Sequence, residues 1–221
     1  MTRTVLEQRL AEIQEEMLVM ADMVESAIHR SIQALKDRNV ALAKQIVVDD
    51  LKINRKRYDI EERCIELIAM QQPLAGDLRI IVAVLHMTVD LERMGDHAEG
   101  IAKIVLLLAD QPPLKPYVDL PRMAELAAGM LKESLEAFKY RDADRARAVM
   151  NRDDEVDALY DQVYRELLTY MIADPRSIER ATHLIWVAHN LERIGDRVTN
   201  ICERVVYLVT GKVEELNVST Y

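Results

Sequence analysis

The chain repeats itself, and no other feature limits its fold as strongly. His189-Asn190-Leu191-Glu192-Arg193-Ile194-Gly195-Asp196 echoes Val89-Asp90-Leu91-Glu92-Arg93-Met94-Gly95-Asp96, an offset of 196 − 96 = 100. Upstream, Asp50-Leu51-Lys52-Ile53-Asn54 lies against Asp153-Asp154-Glu155-Val156-Asp157, an offset of 153 − 50 = 103. The second copy therefore lacks three residues, and the gap falls in the turn near Gln71-Gln72-Pro73, where gaps are tolerated. A unit used twice must pack in the same way twice, so the architecture follows from one half.

Each half reads as three amphipathic helices. In the first, Leu6, Leu10, Ile13, Met17, Met20, Val24, Ile28 and Leu35 recur at helical spacing and predict a helix over 5–36. Asp37-Arg38-Asn39 supplies a turn and a cap for a second helix over 40–70. Pro73 and Gly76 interrupt the pattern before a third helix over 78–108. The second half predicts helices over 120–139, from Asp142 to about 172, and from Asp174-Pro175 to Gly211. Three helices joined by short loops make an antiparallel bundle. The expected fold is all-α: two tandem three-helix bundles related by a pseudo-twofold. The expected divisions are 1–110, a proline-rich linker at 111–119 (Gln111-Pro112-Pro113-Leu114-Lys115-Pro116), 120–213, and a loose tail at 214–221.

Composition narrows the function classes. With Asp plus Glu at 38 and Lys plus Arg at 29, the formal charge is −9, which argues against a protein that coats nucleic acid. The longest apolar stretches, 80–85 and 104–109, fall far short of the ~20 residues that span a bilayer. The N-terminus lacks the pattern of a secretory signal, and Cys64 and Cys202 form no C-x-x-C, so a cytoplasmic protein with two reduced, buried thiols is expected.

The repeated frame carries acids at a costly spacing. Glu92 and Asp96 are i and i+4, as are Glu192 and Asp196, so each pair shares a helix face and repels. Asp50 and Asn54, and Asp153 and Asp157, have the same spacing on the preceding helix. If those helices pack antiparallel, each half gathers three or four oxygen donors, and a cation between them would explain the duplicated liability. Asn200, one turn beyond Asp196, could add a carbonyl oxygen, whereas the first copy has Gly100 there. Oxygen ligands favour hard ions such as Mg²⁺, Mn²⁺, Ca²⁺ or Fe³⁺, with Zn²⁺ less favoured. The competing reading is a solvated charged face in which Arg93 reaches Asp90 and Asp96, and Arg193 reaches Asp196. Gly95 and Gly195 cost each helix ~1 kcal/mol relative to Ala, which close helix approach or room for a ligand would offset.

Other motifs carry less. His29, His86, His97, His183 and His189 do not repeat between halves, and none follows a Glu by three, so they read as surface or satisfied core residues. Gly95-x₄-Gly100 is followed by Ile101 and Ala102 rather than the Lys and Ser/Thr of a phosphate-binding loop. Lys52, Arg55, Lys56 and Arg57 read as a solvated basic face, with docking of an acidic partner or an anion as the alternative. No nucleophile has an evident base, so no catalytic residue is assigned and the chain is not read as an enzyme. A metal-dependent phosphohydrolase and a metal-free helical scaffold are the competing classes.

The paired frames Leu91-Glu92-Arg93-Met94-Gly95-Asp96 and Leu191-Glu192-Arg193-Ile194-Gly195-Asp196, with Asn200-Ile201 after the second, resemble the signature of the PhoU family. The resemblance covers about residues 6–211. It implies two three-helix bundles, a homodimer, and acidic motifs able to hold multinuclear iron or other metal ions. Carried over, Asp50, Asn54, Glu92 and Asp96 form the first site, and Asp153, Asp157, Glu192, Asp196 and Asn200 the second. The first copy departs from the family pattern at Gly100, where members often carry Asn. The function implied is negative regulation of phosphate uptake and the phosphate-starvation response, linking the phosphate ABC transporter to its sensor histidine kinase.

Overall fold

The computed structural model describes residues 3–212, so the expected tail at 214–221 lies outside the described residues. The first half comprises α1 (Arg3–Asp37), α2 (Val40–Gln71) and α3 (Ala75–Leu108). The second comprises α4 (Asp119–Tyr140), α5 (Ala143–Met150), α6 (Asp153–Ala173), a 3₁₀ turn (Pro175–Ser177) and α7 (Ile178–Thr210).

The turns repeat as faithfully as the helices. Arg38 and Arg141 are equivalent by the offset of 103, and both take the left-handed conformation, with φ of 52° and 53°. The next residue caps the following helix in each half: Asn39 Oδ1 accepts from the Leu42 N–H at 3.0 Å, and Asp142 Oδ1 from the Arg145 N–H at 2.9 Å. Gln71 and Asp174 correspond by 103, while Ala75 and Pro175 correspond by 100. The three residues without a counterpart are therefore Gln72, Pro73 and Leu74, the turn itself. Gly76 lies inside the first turn of α3 rather than in the break.

One expectation is corrected. The helix expected from Asp142 to about 172 is split at Asn151–Arg152 into α5 and α6. Asn is a weak helix former, and Asp153, Asp154 and Glu155 crowd the first turn of α6, where negative charge favours a helix start. The equivalent stretch of α2 has Val48 in place of Asn151, and Leu51 and Lys52 in place of Asp154 and Glu155, and it runs on as helix.

The bundles join through their third helices. α3 and α7 pack against each other at the centre, α1 also touches α4, and α2 packs against α1 and α3. Met17, Met20, Met87, Leu91, Met94 and Met130 are fully buried. Met suits this irregular seam because its unbranched thioether adapts to the gaps between crossing helices. Cys64 and Cys202 are free and buried, and burial pushes both thiols up to about 12. The linker is pinned down: Arg38 donates to the Ala109 carbonyl at 2.7 Å and Arg180 to the Pro112 carbonyl at 3.1 Å.

Candidate functional site

The crossing of α3 over α7 places the repeated frames at the middle of the molecule. Asp90 Oδ1 accepts from Asn200 Nδ2 at 3.1 Å and lies 3.6 Å from Arg197. The reciprocal set is Asn190, His97 and Gly100. Asn190 Oδ1 is 2.9 Å from His97 Nδ1, and a Cβ on Gly100 would approach the same oxygen to 3.2 Å. Residues 90 and 190, 97 and 197, and 100 and 200 exchange places across the seam, as an antiparallel twofold requires. Asn200 is thus engaged as a strut between the halves, not gathered with the second acidic set. Gly100 is the space that its counterpart strut, Asn190, occupies.

On the outer flanks of this seam the acids of α2 and α3, and of α6 and α7, come together. Asp50 is 7% exposed; burial first, then the charges of Asp96, Glu99 and Glu92, raise its carboxyl to about 6. Asp153, also 7% exposed, is raised to about 7 by burial and then by Asp157, Asp196, Glu192 and Asp154. Glu192, 8% exposed, is raised to about 7 by burial and the charge of Asp196. Asp96 and Asp157 are raised by partial burial and by their acidic neighbours. Glu99 and Asp154 belong to these clusters although the repeat did not single them out.

The glycines explain how Asp50 and Asp153 enter. A Cβ on Gly95 would stand 3.2 Å from Asp50 Oδ1 and from Ile53, and one on Gly195 only 2.7 Å from Asp153 Oδ1. Close helix approach and room for a carboxylate are the same fact at these positions.

Cations of the protein cover part of each cluster. Arg57 of α2 reaches Glu92 at 3.1 Å, a contact between helices that the local spacing did not predict. In the second half, Arg193 pairs with Asp196 at 2.8 Å, as i and i+3 allow. Glu192 Oε2 lies 3.1 Å from Arg193 Nε and 3.5 Å from His189 Nδ1, close enough for attraction but without hydrogen-bond alignment. The H-x-x-E spacing of His189 and Glu192 was a readable signal for that neighbour. His189 also stands edge-on to Trp186, with ring centroids 5.9 Å apart.

Several buried oxygens remain without a partner. They are Asp50 Oδ1 and Asn54 Oδ1 in the first cluster and Asp153 Oδ1 in the second, while Glu192 Oε2 has ion-pair neighbours but accepts no hydrogen bond. Asn54 Nδ2 donates to the other oxygen of Asp50 at 3.0 Å. A buried carboxylate oxygen with nothing to accept from is costly, and a cation between the helices would remove the cost. Among the described residues, no three His, Cys, Asp or Glu side chains form a ready-made cage for one ion. The acids stand as mutually repelling neighbours, so the donor chemistry suits a hard cation, while the side chains would have to draw together to hold it. The residues that fit are Asp50, Asn54, Glu92 and Asp96, and Asp153, Asp157, Glu192 and Asp196.

Gly195→Ala tests the insertion. The added methyl group is expected to push the Asp153 carboxylate aside and lower cation affinity at the second cluster by about 10–100-fold. The helix gains ~1 kcal/mol of propensity, so the fold survives. Gly95→Ala, with its wider 3.2 Å clearance, has the smaller effect. Calorimetric Mn²⁺ titration reads both, and wild-type affinity in Gly195→Ala would remove Asp153 from the site.

A family model described as the PhoU domain matches residues 17–105 and again 120–205. A phosphate-specific transport system accessory protein PhoU homolog from Aquifex aeolicus is 45% identical over 92% of both chains. One from Clostridium acetobutylicum is 40% identical over 98% of this chain and all (100%) of its own. The crystal structure of PhoU from Pseudomonas aeruginosa superposes with a TM-score of 0.88 at 37% identity, covering 93% of this chain and 99% of that one. The phosphate transport system regulatory protein PhoU from Streptococcus pneumoniae superposes with a TM-score of 0.88 at 32% identity, covering 95% and 99%.

Proposed function

The chain belongs to the PhoU family, and from that premise we propose that it is a non-catalytic accessory protein that regulates a phosphate transport system. In this reading it acts in the cytoplasm as a homodimer. It restrains phosphate uptake and the starvation response by bridging the ATPase subunit of the phosphate ABC transporter and a sensor histidine kinase. Its duplicated acidic clusters hold metal ions. No described helix is long and apolar enough to cross a membrane. The names of the relatives support the transport association, and the buried oxygens of Asp50, Asp153 and Glu192 that accept no hydrogen bond support the metal.

A hard cation, when bound, supplies positive charge and open coordination positions that phosphate oxygens can fill. The chain's own part is to aim Asp50 and Asp153 at the helix seam over Gly95 and Gly195, and to hold Glu92 and Glu192 beside Arg57 and Arg193. The struts Asp90–Asn200 and Asn190–His97 tie both clusters to one rigid crossing.

The test combines metal analysis, phosphomonoester turnover and a pull-down with the transporter ATPase and the kinase. The reading expects metal without turnover and capture of both partners, weakened in Asp96→Ala with Asp196→Ala. Turnover that those substitutions abolish would make the protein a hydrolase instead, and protein that captures neither partner would leave only a scaffold.

A further inference from the structure

The two acidic clusters differ at positions beside their glutamates. Where the first half has Val89, the second has His189, by the offset of 100. Where the first has Arg57, which crosses from α2 to Glu92 at 3.1 Å, the second has Tyr160, by the offset of 103. The cation that reaches Glu92 from the neighbouring helix is thus replaced at Glu192 by a phenol ring. An imidazole arrives instead from α7 itself, one turn before the glutamate.

Aromatic neighbours hold that imidazole in place. The ring of Tyr160 lies 6.2 Å from the ring of His189, and Trp186 stands edge-on to it at 5.9 Å. With the ring so placed, Nδ1 stands 3.5 Å from Glu192 Oε2, a buried oxygen that accepts no hydrogen bond. The spacing is long for a hydrogen bond. It suits two ligands of one ion, since donors ~2.1 Å from a tetrahedral centre stand ~3.4 Å from each other. Asp153 Oδ1, buried without a partner, belongs to the same cluster. Arg193 Nε also approaches Glu192 Oε2, at 3.1 Å, but its guanidinium is anchored on Asp196 at 2.8 Å and keeps that pair when the oxygen turns to an ion.

We infer that His189 is a nitrogen ligand of the second cluster and sets its choice of ion, so that the duplicated frame holds two different kinds of metal. Imidazole is a good donor to borderline transition ions, whereas Mg²⁺ and Ca²⁺ keep to oxygen. The second cluster, with His189 Nδ1 beside Glu192 and Asp153, therefore selects an ion such as Zn²⁺ or Co²⁺. The first cluster, with Val89 at that place and Arg57 on its glutamate, offers oxygen alone and stays with hard ions. The inference rests on the metal of the proposed function and is independent of its homodimer and its regulatory role.

Trp186 is the single tryptophan of the chain, so its fluorescence reports on this place alone. Co²⁺ titrated into the metal-stripped full chain is expected to quench it, because an open-shell ion beside an indole drains the excited state. Zn²⁺ displaces the Co²⁺ and restores the emission, and Mg²⁺ leaves it unchanged. His189→Val installs the residue of the first half. It lowers Co²⁺ and Zn²⁺ affinity at the second cluster by at least about 10-fold and leaves Mg²⁺ affinity at the wild-type level by calorimetry. The His189 side chain is 36% exposed, so the variant keeps wild-type helicity by circular dichroism. Nitrogen NMR of the ring supplies a readout that packing does not move: Zn²⁺ shifts Nδ1 of His189 and leaves Nε2 as the N–H. Asp96→Ala, in the first cluster, leaves the quenching intact. Protein that binds none of these ions would overturn the metal reading and this inference together. Zn²⁺ affinity and quenching that survive His189→Val, or Zn²⁺ bound without a shift at Nδ1, would overturn only the role of His189.

Discussion

Mn²⁺ added to the metal-stripped protein is expected to raise its melting temperature by about 8–16 °C. Occupancy of one site at ~1,000 times its dissociation constant stabilises by about 4 kcal/mol. For a chain of this length, each kcal/mol moves the midpoint by roughly 2–4 °C. The response comes from acids that repel in the apo protein and from buried oxygens of Asp50, Asp153 and Glu192 that accept no hydrogen bond. Asp153→Asn separates this from a structural role. It removes the most burdened charge while keeping the shape, so the apo protein should melt higher and its metal response should fall by at least half. Sites that trade stability for function behave in this way. Differential scanning calorimetry after chelation, with and without Mn²⁺ or Fe³⁺, gives the answer. A wild-type midpoint unmoved by any of these ions would refute the metal sites, and a full response in Asp153→Asn would refute the second cluster's ligand set.

The apo protein is also expected to grow more stable as pH falls from about 7 towards 4, the reverse of ordinary acid unfolding. Asp153 and Glu192 are raised to about 7 and Asp50 to about 6, all above their unfolded values. The folded state therefore binds these protons more tightly than the unfolded chain. Their burial costs stability above pH 7, and that cost is relieved as they protonate on the way down. At ~1.4 kcal/mol per pH unit, Asp153 alone accounts for about 4 kcal/mol across the window. Asp49 has the opposite sign. Lys52 and Arg30 hold it down to about 2, so its contribution is present above pH 4 and is lost as pH falls towards 2, and the curve turns over. Urea unfolding at pH 7.5 and 5 reads the slope. Asp153→Asn should flatten it and saturating Mn²⁺ should invert it, and a slope unchanged by Asp153→Asn would show that this carboxylate is not the titrating group.

The amino-acid sequence by itself determined the duplication, the class of fold, the place of nearly every helix and which acids share a helix face. These are matters of period and spacing: residues four apart share a helix face whatever surrounds them. The turns were equally legible, because Asn39 and Asp142 act on amides three residues away. The tertiary structure alone decided what lies across from each face. Arg57 meets Glu92, Asn200 leaves the cluster for Asp90, and Gly100 makes room for Asn190. Helical periodicity says which side of a rod is apolar. It does not say how two rods cross, and the angle and register of the crossing choose among partners that are equally close in spacing but distant in the chain.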